Sequence, residues 1–157
     1  MSIDINAPQF SLATIAEAAG ILPATLTTWR NRHELFADTV TGTKERKFFS
    51  LADACVARAV FVLTKHGLDT PDAIWFADSH MRAQITILLA GEEFSSLVGF
   101  YKPERGKERI AFIVFPRSDA AGELIDKTPG VLTVVNVMTI IKHVVAALKV
   151  PTPEGWA

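Results

Sequence analysis

An excess of charge of either sign is missing from this chain. Sixteen Lys and Arg stand against seventeen Asp and Glu, a formal net charge of −1. Long-range steering of the whole protein toward phosphates is therefore weak, and any contact with nucleic acid has to come from a local patch. Cysteine is almost missing: the lone Cys55 excludes an internal disulfide and fits a reducing cytoplasm. The four histidines, His33, His66, His80 and His143, are scattered without zinc-ligand spacing, so no metal is expected. His33 and Glu34 are adjacent and do not face each other on a helix, which makes them a poor base and orienter. No glycine-rich phosphate loop, nucleophile elbow or paired-carboxylate motif is present, so neither a cofactor nor an enzyme activity is expected.

Long apolar runs are also scarce. Residues 131–150 have the length of a membrane span, but Asn136, Lys142, His143 and Lys149 interrupt them at a high cost in lipid. They read as a buried strand leading into a helix, and no membrane partner is expected. The first twenty residues lack a basic region followed by an apolar core, so no signal peptide is expected. Neither an internal repeat nor a low-complexity tract is visible.

What the chain does have is apolar residues. They make up 49% of 157 positions, with a mean hydropathy of +0.25. A chain of this length forms one compact domain or two small ones sharing a core. Its interior has limited room for so many apolar side chains, and a subunit interface is the natural outlet. A homodimer through residues 81–157 is expected.

Helix signals are dense at the start. Ser11 can cap a helix over residues 12–19 and Gly20 can end it. Pro23 suits the first position of a second helix at about 23–32. Leu12, Ile15, Ala16 and Ala19 form one apolar stripe and Leu22, Leu26 and Trp29 the facing one. This leaves Ala24, Thr27, Thr28 and Asn31 outward. Two short helices joined by a glycine turn are the helix-turn-helix signature. A hairpin is expected at about 40–49, from Val40 through Gly42 to Phe49. Ser50 then caps a long helix to His66, closed by Gly67, and Thr70-Pro71 opens another.

From Ala83 to Ala90 the alternation favours a strand. "LVGFYK" and "RIAFIVFP" read as a hairpin, with residues 109–115 placed centrally in a sheet because both faces are apolar. Residues 116–130 read as a loop with at most one helical turn, residues 131–135 as a strand, and Asn136 as the cap of a last helix over 137–149. The tail "PTPEGWA" reads as loose. The expected class is α+β: a helical, winged region over residues 1–80, then a small antiparallel sheet with one helix over residues 81–157. Asn136, Thr139 and His143 share a helix face. They can form a dimer seam, or line a small ligand pocket with Phe112 and Tyr101.

"SLATIAEAAGILPATLTTWRNRHELF", "TGTKERKFFSLADA" and "LTKHGLDTPDAI" follow one another in an order and spacing that resemble the winged helix-turn-helix of the MerR family of transcriptional regulators. The residues that carry the resemblance are Ile15, Ala16, Gly20, Pro23, Thr25, Leu26 and Trp29; then Gly42, Arg46, Lys47, Phe48 and Phe49; then Leu51, Gly67, Leu68, Pro71 and Ile74. They cover about half the chain. The chain departs from the family where an arginine commonly follows the leucine of the recognition helix, a position held here by Thr27. It departs again beyond residue 80, where the long dimerisation helix and the sensor cysteines are not evident. The resemblance implies DNA binding and regulation, not metal sensing.

The residue types suit double-stranded DNA. Thr25, Thr27 and Thr28 can hydrogen-bond base edges and offer methyls to thymine. Arg30, Asn31 and Arg32 can reach phosphates or purine edges. Lys44, Arg46 and Lys47 lie where a wing meets the backbone or minor groove. Residues 28–48 hold five Lys or Arg against three Asp or Glu, a local excess of two positive charges. Trp29 belongs to the core by its spacing from Leu26. The expected function is a cytoplasmic, nucleoid-associated, homodimeric regulator of transcription, with residues 81–157 dimerising or meeting an unknown effector or protein partner. The alternatives are a protein-interaction adaptor built on a winged-helix domain and a phage-type, excisionase-like architectural DNA binder.

Overall fold

The computed structural model describes residues 3–37, 48–104, 108–115, 119–128, 130–153 and 156. A short strand β1 (Phe10–Ser11) leads into α1 (Leu12–Ala19) and α2 (Pro23–His33). Strand β2 (Phe48–Phe49) precedes α3 (Leu51–Lys65), which runs on to α4 (Thr70–Ile74). A π-helical segment, Trp75–Met81, joins α4 to α5 (Arg82–Leu89). Strands β3 (Leu97–Tyr101) and β4 (Ile110–Val114), helix α6 (Asp119–Lys127), strand β5 (Thr133–Asn136) and helix α7 (Val137–Leu148) follow. The class is α+β, with two small antiparallel sheets.

Each early helix starts on a local device. The Ser11 hydroxyl accepts from Thr14 N–H at 3.2 Å. At the other end of α1, Gly20 takes φ +82°, Gly20 N–H donates to Glu17 O and Ile21 N–H to Ala16 O. That pair of bonds satisfies carbonyls the helix would otherwise leave open. Helix α3 starts on a reciprocal box: Asp53 N–H donates to Ser50 Oγ at 3.1 Å and Ser50 N–H to Asp53 Oδ2 at 2.9 Å.

α3 is the spine. It packs against α1, α4, α5 and α7, and its residues 51–57 are all buried. One continuous cluster of buried residues runs from Ile15 to Val145. The expected boundary near residue 80 falls within this shared core and within the helical run 70–89. An ion-pair network stitches that run to the rest: Arg82 Nη1 lies 2.9 Å from Asp53 Oδ1, and Arg82 Nη2 lies 2.8 Å from Asp78 Oδ1.

The second sheet has the order β4-β3-β5, antiparallel throughout, with Gly99 opposite both Phe112 and Val134. Gly99 is needed there, because a Cβ would stand 2.5 Å from the Phe112 ring. Asp72 of α4 holds the sheet to the helices through Arg109 Nε at 2.6 Å and Lys102 Nζ at 3.5 Å. The Ser95 hydroxyl donates to Val114 O.

Several expectations are corrected. Residues 83–89 are helical, not a strand, and Ala90 is the cap: Met81, Gln84, Ile85, Leu88 and Leu89 form the buried stripe. Gln84 is tolerated inside because its Nε2 donates to Ser95 O at 2.5 Å and Leu97 O at 3.3 Å. Strand β4 is an edge, and β3 takes the centre. The C-terminal half holds α5, α6 and α7 rather than one helix. Phe48–Phe49 pairs with Phe10–Ser11; the remainder of the expected hairpin lies outside the described residues. In the tail, Trp156 packs half-buried on the core.

Candidate nucleic-acid interface

α2 is held by two anchors. Leu26 is fully buried and Trp29 nearly so, which fixes the helix rotation and turns the opposite side outward. Ala24, Thr27, Thr28 and Asn31 are exposed along that side, with Arg32 exposed next to Asn31. Leu22 does not join the buried stripe. It is the cap residue, with extended backbone, and is 71% exposed, so the helical period does not govern it.

The threonines are partly committed. Thr27 Oγ1 donates to Pro23 O at 3.1 Å and Thr28 Oγ1 to Ala24 O at 3.0 Å. Each hydroxyl proton is thus used inside the helix, and the side chain presents a methyl and oxygen lone pairs. Thr25 is half-buried in the first turn. Arg30 is half-buried, and its guanidinium lies over the Phe49 ring, 4.9 Å from the centroid. Of the expected site residues, the structure therefore brings Thr27, Thr28, Asn31 and Arg32 onto one exposed surface and draws Thr25 and Arg30 toward the body. Lys44, Arg46 and Lys47 lie outside the described residues.

The end of α2 is unusually fixed. Glu34 closes the helix at φ +57°, and Phe36 takes φ +68°. Such angles are costly for a bulky residue. Phe36 is fully buried, and its N–H donates to Asp78 Oδ2 at 2.8 Å. The Arg82 guanidinium lies 5.6 Å from the Phe36 ring centroid. The Asp53–Arg82–Asp78 network thus sets where α2 ends. The sequence signals none of it, since its members come from α3, the π-helical segment and α5. Beside this end an open cleft of about 440 Å³ is lined by Arg32, His33, Trp75, Asp78 and Arg109 among others. Arg109 also lies over the Trp75 ring.

Cys55 is fully buried at the centre of α3, and burial pushes its thiol well above its ordinary range. It has no reactive role in that state. Among the described residues no group of three His, Cys, Asp or Glu side chains gathers as a metal site, and no helix is long and apolar enough to cross a membrane. No family model matches the chain, and no curated protein matches it.

Proposed function

We propose that this protein is a sequence-specific, double-stranded-DNA-binding regulator of transcription of the MerR-like winged helix-turn-helix type. It acts as a homodimer in the cytoplasm, at the nucleoid. α2 enters the major groove, and the segment at about 40–49, with Lys44, Arg46 and Lys47, meets the backbone or minor groove. The observation that carries this reading is the exposed stripe of Thr27, Thr28, Asn31 and Arg32 on a helix anchored by Leu26 and Trp29. With their protons used internally, Thr27 and Thr28 suit thymine methyls and the amino groups of adenine and cytosine. Dimerisation is supported by exposed apolar side chains in the C-terminal half, Val131 at 81%, Ile125 at 53% and Phe115 at 49%. The two edge strands β4 and β5 add to it.

The test is a gel shift with random genomic fragments at two salt concentrations. Binding that weakens with salt is expected; no binding at low salt ends the proposal. Arg46→Ala with Lys47→Ala weakens binding to all sequences, whereas Thr28→Ala changes which sequence is preferred. Light scattering at micromolar concentration gives the mass of a dimer; a monomer contradicts the interface.

One observation favours a protein-interaction adaptor as the second reading. Arg30 leans on Phe49, which leaves Asn31 and Arg32 as the long polar side chains of the outer face, while Leu22 and Phe48 are exposed at 71% and 54%. Retention of a protein partner by a chain that fails the gel shift selects the adaptor.

A further inference from the structure

α3, β5 and α7 line an open cavity of about 440 Å³. That volume lies in the range that takes small molecules. Its walls are mainly apolar, with Val62 and Leu63 from α3, Val135 from β5 and Ile140 from α7. Asn136, Thr139 and His143 line it as their shared helix face suggests, but α3 stands opposite them in place of Phe112 and Tyr101. None of the lining residues is Asp or Glu.

The wall also contains a cation in an unusual position. Arg58 rises from the apolar spine, stacks over the Phe61 ring at 5.0 Å and gives Nη1 to Ala19 O at 3.0 Å. Its Nε is buried and makes no hydrogen bond, and among the described residues no carboxylate pairs with it. Arg82, the other arginine of the helical core, has two aspartates. Burial lowers the pKa of Arg58, yet a guanidinium keeps its charge at any physiological pH. Burial first and then the Arg58 charge push His143 down as well, which leaves Arg58 as the permanent charge of the cavity. A half-buried guanidinium with no acid beside it favours an anion that brings its own acceptor.

We propose that this cavity binds a small organic carboxylate, its head group on the Arg58 guanidinium and its compact apolar body against Val62, Val135 and Ile140. The site is also wired to the helix-turn-helix. Arg58 bonds the last carbonyl of α1, and the neighbouring Gly20 approaches so closely that a Cβ there would stand 2.9 Å from Arg58 Nη1. A carboxylate that takes guanidinium donors competes with Ala19 O and so shifts the turn that carries α2. Only the consequence for DNA rests on the regulator reading; ligand binding and the movement of the turn do not.

The test titrates the full chain with octanoate and benzoate, and with octanol, benzyl alcohol and octylamine as controls. Calorimetry reads binding, and amide resonances read position. At least one carboxylate is expected to saturate at one site, bind about tenfold or more tightly than its alcohol, and shift the amides of residues 18–21. Arg58→Gln is expected to abolish the preference for the carboxylate. Because Arg58 also supports α1, Thr139→Trp is the second variant: this exposed position on α7 lines the cavity, and the indole fills it and blocks binding in a folded protein. No saturable carboxylate binding, equal binding of alcohol or amine, or full binding by Thr139→Trp overturns the site. Binding without a shift at residues 18–21 overturns the coupling. Carboxylate binding by a chain that fails the gel shift removes the regulator and leaves the site standing.

Discussion

The N-terminal helical region and the three-stranded sheet are stabilised in different ways. Over residues 10–66 the starts of α1, α2 and α3 and the end of α1 are set a few positions away, by Ser11, Gly20, Pro23 and the Ser50–Asp53 box, and the end of α2, tied to Asp78, is the exception. Over residues 97–136 the structure depends on distant partners. Asp72 reaches Lys102 and Arg109, Gln84 reaches the carbonyls of Ser95 and Leu97, and Gly99 makes room for the Phe112 ring. Local devices stabilise a helix end modestly and independently of the rest. Distant ion pairs and close cross-strand contacts act only once both partners are in place, so their loss is felt across the core. The contrast teaches that the region presenting the outward polar face is the more locally specified of the two.

Substitutions can break or sharpen that contrast. The largest effect is expected from Arg82→Met, which removes the guanidinium that lies 2.9 Å from the buried Asp53 carboxylate. Urea unfolding should show a loss of about 3–5 kcal/mol; a loss near zero would mean that the network does not join the two regions. Next comes Gly99→Val, whose added Cβ meets the Phe112 ring, with an expected loss of about 1–3 kcal/mol. That loss should shrink in a Phe112→Ala background, and an unchanged loss would place the strain elsewhere. Ser11→Ala removes one cap bond and should cost about 1 kcal/mol in the same measurement. The smallest effect belongs to Leu22→Gln, within about 0.5 kcal/mol, as for other exposed sites. A destabilisation of about 2 kcal/mol or more would instead return Leu22 to the core, where its spacing suggests it should lie.

The same contrast governs what the sequence reveals. Caps are readable because serine, proline and glycine act on their neighbours. The outward face of α2 is readable because Leu26 and Trp29 fix one period, and Ala24, Thr27, Thr28 and Asn31 follow from it. Arg30 escapes that logic, since its aromatic partner Phe49 arrives from the far side of a long connection. Residues 83–90 mislead because Ile85, Ile87 and Leu89 alternate while the buried stripe passes through Gln84, whose acceptors lie on another element. Strand β4 has apolar residues on both faces yet sits at an edge, because β3 pairs on both sides. For the cavity, the α7 face is legible and the α3 wall is not, although an arginine within "ADACVARAVFVL" was a signal to follow.

The π-helical segment Trp75–Met81 behaves as one residue spliced into an otherwise regular helical run from 70 to 89. Winding the same residues as an unbroken α-helix would turn everything downstream by about 100° around the axis, carrying Arg82 away from Asp53 and Gln84 away from its carbonyls. Deleting a single codon there would instead let the wide turn close with that face kept. The frame of this helix, rather than the chemistry of any one side chain in it, keeps the two halves of the protein in phase.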